Sequence, residues 1–312
     1  MSAAPVDVVG LGYNTIDHLC VVARHVRLDS KQRMVEFDRQ PGGQVPTALV
    51  ALQRWGLQTR YVGSFGDDAG GAEARSSLVA EGIDVAATVV RPGLANQESV
   101  ILVDEVSGER SVLWQRPEGM GLRPEELSRR HFADCRLLLT DGYDIEAATA
   151  AAGWAKEAGA RVMLDIDFPG PGVEHLLALT DLLIVSPDFL LRLTGREDLR
   201  AALKESQRLG PALCVATMGT GGALVLEDGR FLYQPAFRVA VRDSTGAGDV
   251  FHAGYAYGVL HAWTTLETLR FAAAAAGLKC EKLGPRPGIP TVERAMALAA
   301  LEPSGRSRGK VA

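Results

Sequence analysis

Short, almost unbroken apolar runs recur along this chain, with helix-patterned stretches between them. Runs at 6–11, 60–64, 137–140, 162–166, 182–185, 213–217 and 223–226 are too short for buried helices. They are also too uniformly apolar for a sheet with one wet face, so they suit strands covered on both sides. Helical spacing marks 45–55, 69–81, 146–158 and 198–209. This β–α alternation predicts an α/β fold: a mostly parallel central sheet between two helical layers. A chain of 312 residues, 47% of them hydrophobic, can supply such a core.

Two regions break the rhythm. Segments 15–22 and 33–38 read as strands with no helix between them, and 98–104 and 110–115 flank a Val-Ser-Gly-Glu turn as a hairpin. Four strands without crossover helices do not belong in a parallel core. They are expected to form a small lid sheet, inserted in two pieces at 13–39 and 97–116. The core then takes 1–12, 40–96 and 117–303, and 304–312 is read as a disordered tail. A four-stranded sheet is marginal alone and has edges to cover, so the lid is expected to pack on the core, on a ligand, or on a second copy in a homodimer.

Composition narrows the function. Lys and Arg number 33 against 38 Asp and Glu, which gives no basic excess for nucleic acid or an anionic membrane. Cys20, Cys135, Cys214 and Cys280 have no metal-ligand spacing and read as reduced core thiols. With no signal-peptide pattern and no membrane-length apolar run, a cytoplasmic protein acting on a small molecule is the expectation.

The stretch DSTGAGDVFHAGY at 243–255 carries the chemistry. Helical spacing resumes after Gly248, which puts Asp249 in the first turn of a helix. First-turn amides lack intrahelical partners, and Gly246, Ala247 and Gly248 leave them approachable by an anion. A carboxylate beside an anion hole suits removal of a proton from an attacking hydroxyl. Ordinary helix capping suits the same residues about equally well. No GxxxxGK[ST] phosphate loop opens a helix, and GLGYNT at 10–15 lacks the third glycine of a dinucleotide fingerprint.

That stretch resembles the C-terminal signature of the ribokinase/PfkB carbohydrate kinases. The N-terminal signature is matched by PGGQVPTALVALQRWG at 41–56 and VGSFGDDAGG at 62–71. The resemblance spans nearly the whole chain. It looks closest to the ketohexokinase and sulfofructose kinase branch, through QPAFRV at 234–239 and LKCEKLGPRPGIP at 278–290.

The resemblance implies a ribokinase-like three-layer α/β/α core with a β lid, and ATP-dependent phosphorylation of a primary hydroxyl of a small sugar. It implies that Asp249 is the general base, with Gly246, Ala247 and Gly248 as the anion hole. Asp17, Gly42 and Gly43 match the sugar site, with Gln44 and Thr47 standing where the family carries Asn. Arg110 matches a lid arginine of the ketohexokinase branch that reaches sugar or phosphate, and Asp29, in the lid crossover, is expected to bind a hydroxyl. Thr217, Gly219, Gly221, Gly222 and Thr245 are expected on the nucleotide side, with Lys279, Cys280 and Gly284 bordering adenine. Ser186 and Phe189 replace an Asn-x-x-Glu motif whose Glu organises magnesium. Asp165 and Asp167 are expected to take over that outer-shell role, helped by Asp188. A monovalent cation such as potassium is expected beside Asp243 and Thr245.

Two other functions fit the same sequence. One is a sensor that binds sugar or nucleotide without catalysis, which the intact Gly-Ala-Gly-Asp run disfavours. The other is a nucleoside kinase, with Tyr13, Phe37 or Trp114 lining a slot for the base. The identity of the sugar is left open by the sequence.

Overall fold

The computed structural model describes residues 6–301. The expected tail at 304–312 lies outside the described residues. In chain order the strands and helices begin with β1 (Val6–Leu11), β2 (Thr15–Val22), β3 (Glu36–Gly42), α1 (Gln44–Arg54), β4 (Thr59–Val62), β5 (Ser64–Gly66), α2 (Ala69–Ala80) and β6 (Val89–Arg91). The middle comprises β7 (Glu98–Asp104), β8 (Arg110–Gln115), β9 (Cys135–Thr140), α3 (Ile145–Glu157), β10 (Arg161–Leu164), α4 (Val173–Leu179), β11 (Leu182–Val185), α5 (Pro187–Thr194) and α6 (Leu199–Arg208). The last part holds β12 (Leu213–Thr217), β13 (Ala223–Glu227), β14 (Arg230–Gln234), α7 (Ala247–Leu260), α8 (Thr265–Lys279) and α9 (Val292–Ala300).

The main sheet has the order β14-β13-β12-β11-β10-β9-β1-β4. Strands from β12 to β4 pair in parallel, and the β13–β14 hairpin adds an antiparallel edge. Successive strand residues feed opposite layers, which is why the runs are apolar throughout. Val215 packs with α1, α7 and α8 on one face, while Cys214 and Ala216 pack with α3, α5 and α6 on the other. The result is the three-layer α/β/α architecture expected from the sequence.

The second sheet has the order β3-β2-β7-β8. Its inner face carries Leu19, Val21, Ile101 and Val103, which pack with Leu283 of the core. Strand β3 lies three to four residues later than expected and runs through Gly42, because Gln40 to Gly42 pair with Asp17 to Thr15. The run at 60–64 is broken by Gly63, which separates β4 in the main sheet from β5, a partner of β6. Strand β14 and helices α4, α5, α8 and α9 were not anticipated. The start of α8 did carry a readable signal, a capping box between Thr264 and Glu267.

Chain direction sets where a ligand can go. Strands β1 and β9 are neighbours whose crossovers leave in opposite senses, so a crevice opens at their carboxyl ends. Helix α7 starts at the same end and is held against α8 by small residues. A Cβ on Gly254 would stand 2.7 Å from Ala272 Cα. Gly254→Val should therefore force the two helices apart and cost about 1–3 kcal/mol. Urea denaturation checks the loss of stability.

Candidate active site

A cleft of about 400 Å³ lies between the inner face of the lid and the carboxyl end of the sheet. Asp17, Gly43, Gln44, Arg110, Thr245, Gly246 and Asp249 all line it, so residues spread over more than two hundred positions converge there. Tyr13, Gln97, Ser99, Trp114 and Tyr143 line it too.

At the mouth of α7, Gly246 takes a left-handed conformation (φ 80°), and a Cβ there would stand 2.8 Å from Pro285 Cα. The chain thereby turns into the helix with its first amides facing the cleft. The Ala247 N–H is already used by the Ser244 carbonyl (3.2 Å), so it is less available to an anion than expected. The amides of Gly246 and Gly248 make no hydrogen bond among the described residues. A Cβ at Gly248 would meet nothing within 4 Å, so this glycine borders open space.

Asp249 is half-buried beside those amides. Burial raises its pKa well above the usual carboxylate range, and Asp165 adds to the rise while His252 and Arg110 oppose it. Asp165 and Asp167 are raised by burial as well. His252, one turn after Asp249, is a strut: its ring nitrogens lie 2.8 Å from the carbonyls of Gly248 and Ile184. Its Nδ1 is also 3.3 Å from Asp165 Oδ2. Burial lowers the pKa of this imidazole, against the pull of the two carbonyls and of Asp249.

On the lid side, Asp17 is only 4% exposed. Burial pushes its pKa from 3.8 to about 7, although the Arg286 guanidinium and the hydroxyls of Thr15 and Ser99 pull it down. A Cβ at Gly42 would overlap Asp17 Oδ2, so Gly42 makes room for the carboxylate itself. Sequence reasoning missed Asp141, which accepts from the amides of Tyr13 (2.8 Å) and Tyr143 (3.0 Å) and fastens β1 to β9 beneath the cleft. Its signal was a carboxylate ending an apolar strand, LLLTD at 137–141.

Other expected residues lie elsewhere. Thr47 is fully buried within α1, and Asp29 is exposed in the loop between β2 and β3; neither lines the cleft. Phe37 is 53% exposed and pairs with Cys20, away from the slot expected for a base. Lys279, Cys280 and Gly284 buttress the Gly-Ala-Gly-Asp loop from behind. Lys279 Nζ donates to the Asp243 carbonyl (2.9 Å), and the Cys280 carbonyl accepts from the amides of Arg242 (2.8 Å) and Asp243 (3.1 Å). The Gly284 amide donates to Asp243 Oδ2 (2.7 Å). The Asp243 carboxylate is thus occupied by protein donors, Thr245 included, which leaves a monovalent cation without support. Among the described residues no group of three Asp, Glu, His or Cys side chains forms a metal cage. Ser186 caps α5 by accepting from the Phe189 amide (3.3 Å), and Phe189 is a core residue, so neither serves a magnesium shell directly. Thr217, Gly219, Gly221 and Gly222 end β12 at the same end of the sheet, beside the end of β11.

The model of the pfkB family carbohydrate kinases matches residues 6–292. The chain belongs to that family. It is a kinase, a phosphotransferase acting on an alcohol group, and an ATP-dependent sugar or nucleoside kinase of the ribokinase/pfkB superfamily. A fructokinase of Klebsiella pneumoniae is 28% identical over 70% of this chain and 76% of its own length. A ribokinase of Haemophilus influenzae is 26% identical over 90% of this chain and 94% of its own. The Arabidopsis thaliana ribokinase complexed with ribose and ATP superposes with a TM-score of 0.80 at 23% identity, covering 96% of this chain and 100% of that one. An adenosine kinase from Sinorhizobium meliloti gives 0.82 at 22% identity, covering 95% and 100%. The relatives are mixed and do not single out the ketohexokinase branch. No helix among the described residues is long and apolar enough to cross a membrane.

The raised pKa of Asp17 has a direction that can be checked. If Asp17 is the acceptor of the substrate's hydroxyl protons, only its ionised form serves, so the KM for that substrate should rise roughly tenfold per unit as pH falls below about 7. The free protein responds in the opposite sense. Asp17 loses its proton more readily when unfolded, so its contribution to stability declines as pH rises from about 4 to about 7. Initial rates and thermal melts across pH 5–8, with Asp17→Asn as control, test both. A KM that stays flat in the native enzyme would remove Asp17 as the hydroxyl acceptor.

Proposed function

We propose that this kinase transfers the γ-phosphate of ATP to a primary hydroxyl of a small sugar held under the lid, with Asp249 as general base. One observation carries the reading: a single cleft brings Asp249, at the amide-presenting mouth of α7, together with Asp17 on the lid. Asp17 accepts hydroxyl protons and orients the sugar. Asp249 takes the proton of the attacking hydroxyl, and its raised pKa suits it to do so near neutral pH. The amides of Gly246 and Gly248 stabilise charge developing on the phosphoryl oxygens. Lid closure excludes water.

The cleft has a surplus of carboxylates: Asp17, Asp167, Asp188 and Asp249 line it and the buried Asp165 lies close to Asp249, against Arg110 as its one lining cation among the described residues. That imbalance fits a partner bearing a divalent cation. Asp165 and Asp167 would hold magnesium through water, and bound magnesium supplies charge neutralisation on the phosphates. Thr217, Gly219 and Gly221 are left as the exposed loop for the nucleotide. A ketohexose is the sugar we favour, because Arg110 reaches the cleft from the lid, as the resemblance to that branch implies. A nucleoside acceptor is the second reading. Tyr13, Tyr143 and Trp114 form an aromatic wall with ring centroids 5.0 and 5.6 Å apart, suited to a base. The sensor reading has no such support, since the carboxylate and the free amides are both in place.

ADP release measured over ketoses, aldoses and nucleosides should rise above the no-acceptor rate for a neutral ketose. A response to nucleosides alone would replace the sugar reading with the nucleoside one. Asp249→Asn should lower kcat by about 10²–10⁴ while leaving the KM for ATP nearly unchanged. Near-normal turnover in that variant would remove Asp249 as the base.

We also propose a homodimer through the outer face of the lid, where Phe37 and Leu113 are 53% and 62% exposed beside Val100. Light scattering should give twice the 33.3 kDa chain mass, and Leu113→Lys should restore the single mass. A native protein of single mass would sink the dimer.

A further inference from the structure

Near the start of α7 the lid is fastened to the core at two points, the Arg242–Glu36 ion pair and the β7–β8 turn. The turn between β7 and β8 is rigid. Asp104 Oδ1 accepts from the amides of Val106 (3.0 Å) and Ser107 (2.9 Å) and from Ser107 Oγ (3.1 Å). The Gly108 amide closes the turn on the Asp104 carbonyl (2.9 Å). Gly108 is left-handed (φ 68°), and a Cβ there would stand 2.6 Å from Val241 Cγ1, so the turn seats closely on the core. Its carbonyl accepts from both the amide (3.1 Å) and the hydroxyl (2.9 Å) of Ser244. Arg110 Nη1 donates to the same hydroxyl oxygen (3.0 Å).

Ser244 also faces the catalytic helix. Its carbonyl accepts the Ala247 amide, the first of α7, at 3.2 Å. The segment around it is pinned to the core by Asp243, Lys279 and Cys280; on the lid, Gly108 and Arg110 hold Ser244 and Glu36 pairs with Arg242. When the lid lifts, Ser244 loses both partners on that side, and Arg110 leaves the cleft with β8.

We propose that Ser244 is a positioning residue that couples the lid to the phosphate cradle, so that the cradle is fully ordered only under a closed lid and transfer waits for the acceptor that holds the lid down. This rests on the kinase reading above. Water is the competing acceptor: without coupling, ATP and water give ADP and inorganic phosphate. Losing the hydroxyl removes two hydrogen bonds across the seam, enough to shift the closed-to-open ratio about tenfold.

Two measurements on Ser244→Ala test the coupling. Hydrogen exchange of the turn at 105–109, with no substrate present, should quicken about tenfold, and this readout does not depend on what the enzyme phosphorylates. With an active acceptor, kcat should fall about tenfold at nearly constant KM for ATP, and more ADP should be released per acceptor phosphorylated. Ser244→Thr, which keeps the hydroxyl, should restore both. Unchanged exchange at the turn, or slower turnover with an unaltered ratio of ADP to product, would overturn the coupling. If exchange quickens but no acceptor in the panel is phosphorylated, the latch stands as a contact of the lid and the kinase reading with its coupling role falls. Gly108→Ala probes the other side of the seam, and Ser244→Ala suffices if that variant does not fold.

Discussion

A carboxylate that does not line the cleft shapes its working end. Asp243 is fully buried, with one oxygen accepting from the Thr245 amide and hydroxyl and the other from the Gly284 amide. Its carbonyl takes the ammonium of Lys279, itself fully buried. A charge so far from water is tolerable only when its acceptor capacity is met, and here every partner belongs to the segments that must stay in register. The loop from Arg242 to Gly246 therefore enters α7 at a fixed angle, with the amides of Gly246 and Gly248 turned outward.

The electrostatics of the cleft follow from the architecture. Strands β1, β9 and β10 end at one rim, and each end leads into a residue of the acidic set: Tyr13 bonded to Asp141, Asp141 itself, and Asp165 with Asp167. Helix α7 adds Asp249 from the opposite side. Burial raises all four carboxylates, and repulsion from neighbouring carboxylates adds to the rise at Asp165 and Asp249, while Arg110 and His252 oppose it at Asp249 and Arg116 opposes it at Asp141. Arg110 is the one lysine or arginine among the described residues that line the cleft, so the site is poor in positive charge.

The lid contributes differently. Its pairing sets Asp17, Ser99 and Trp114 side by side across three strands. A buried carboxylate and an aromatic surface thus share one inner face, and Val21, Val103 and Arg110 form another row nearer the turn at Gly108. The inner face therefore changes along the strands from a carboxylate beside an aromatic ring to an apolar row ending in Arg110, and the turn at Gly108 sits at that second end.

The apolar runs alone determined the layered α/β fold, because a strand covered on both faces has no polar side to show. The Gly-Ala-Gly-Asp stretch likewise made the start of α7 legible, since its backbone signal is local to one turn. Pattern could not say that Lys279 and Gly284 support the loop from behind, that Thr47 sinks into α1, or that Asp29 stays outside. Those outcomes depend on which side of a helix or loop faces a partner distant in sequence. The same holds for Asp141 under the cleft and for Ser244 against Gly108: each bond joins residues more than a hundred positions apart, brought within reach by the pairing of β1 with β9 in one case and by the seating of the lid on the core in the other.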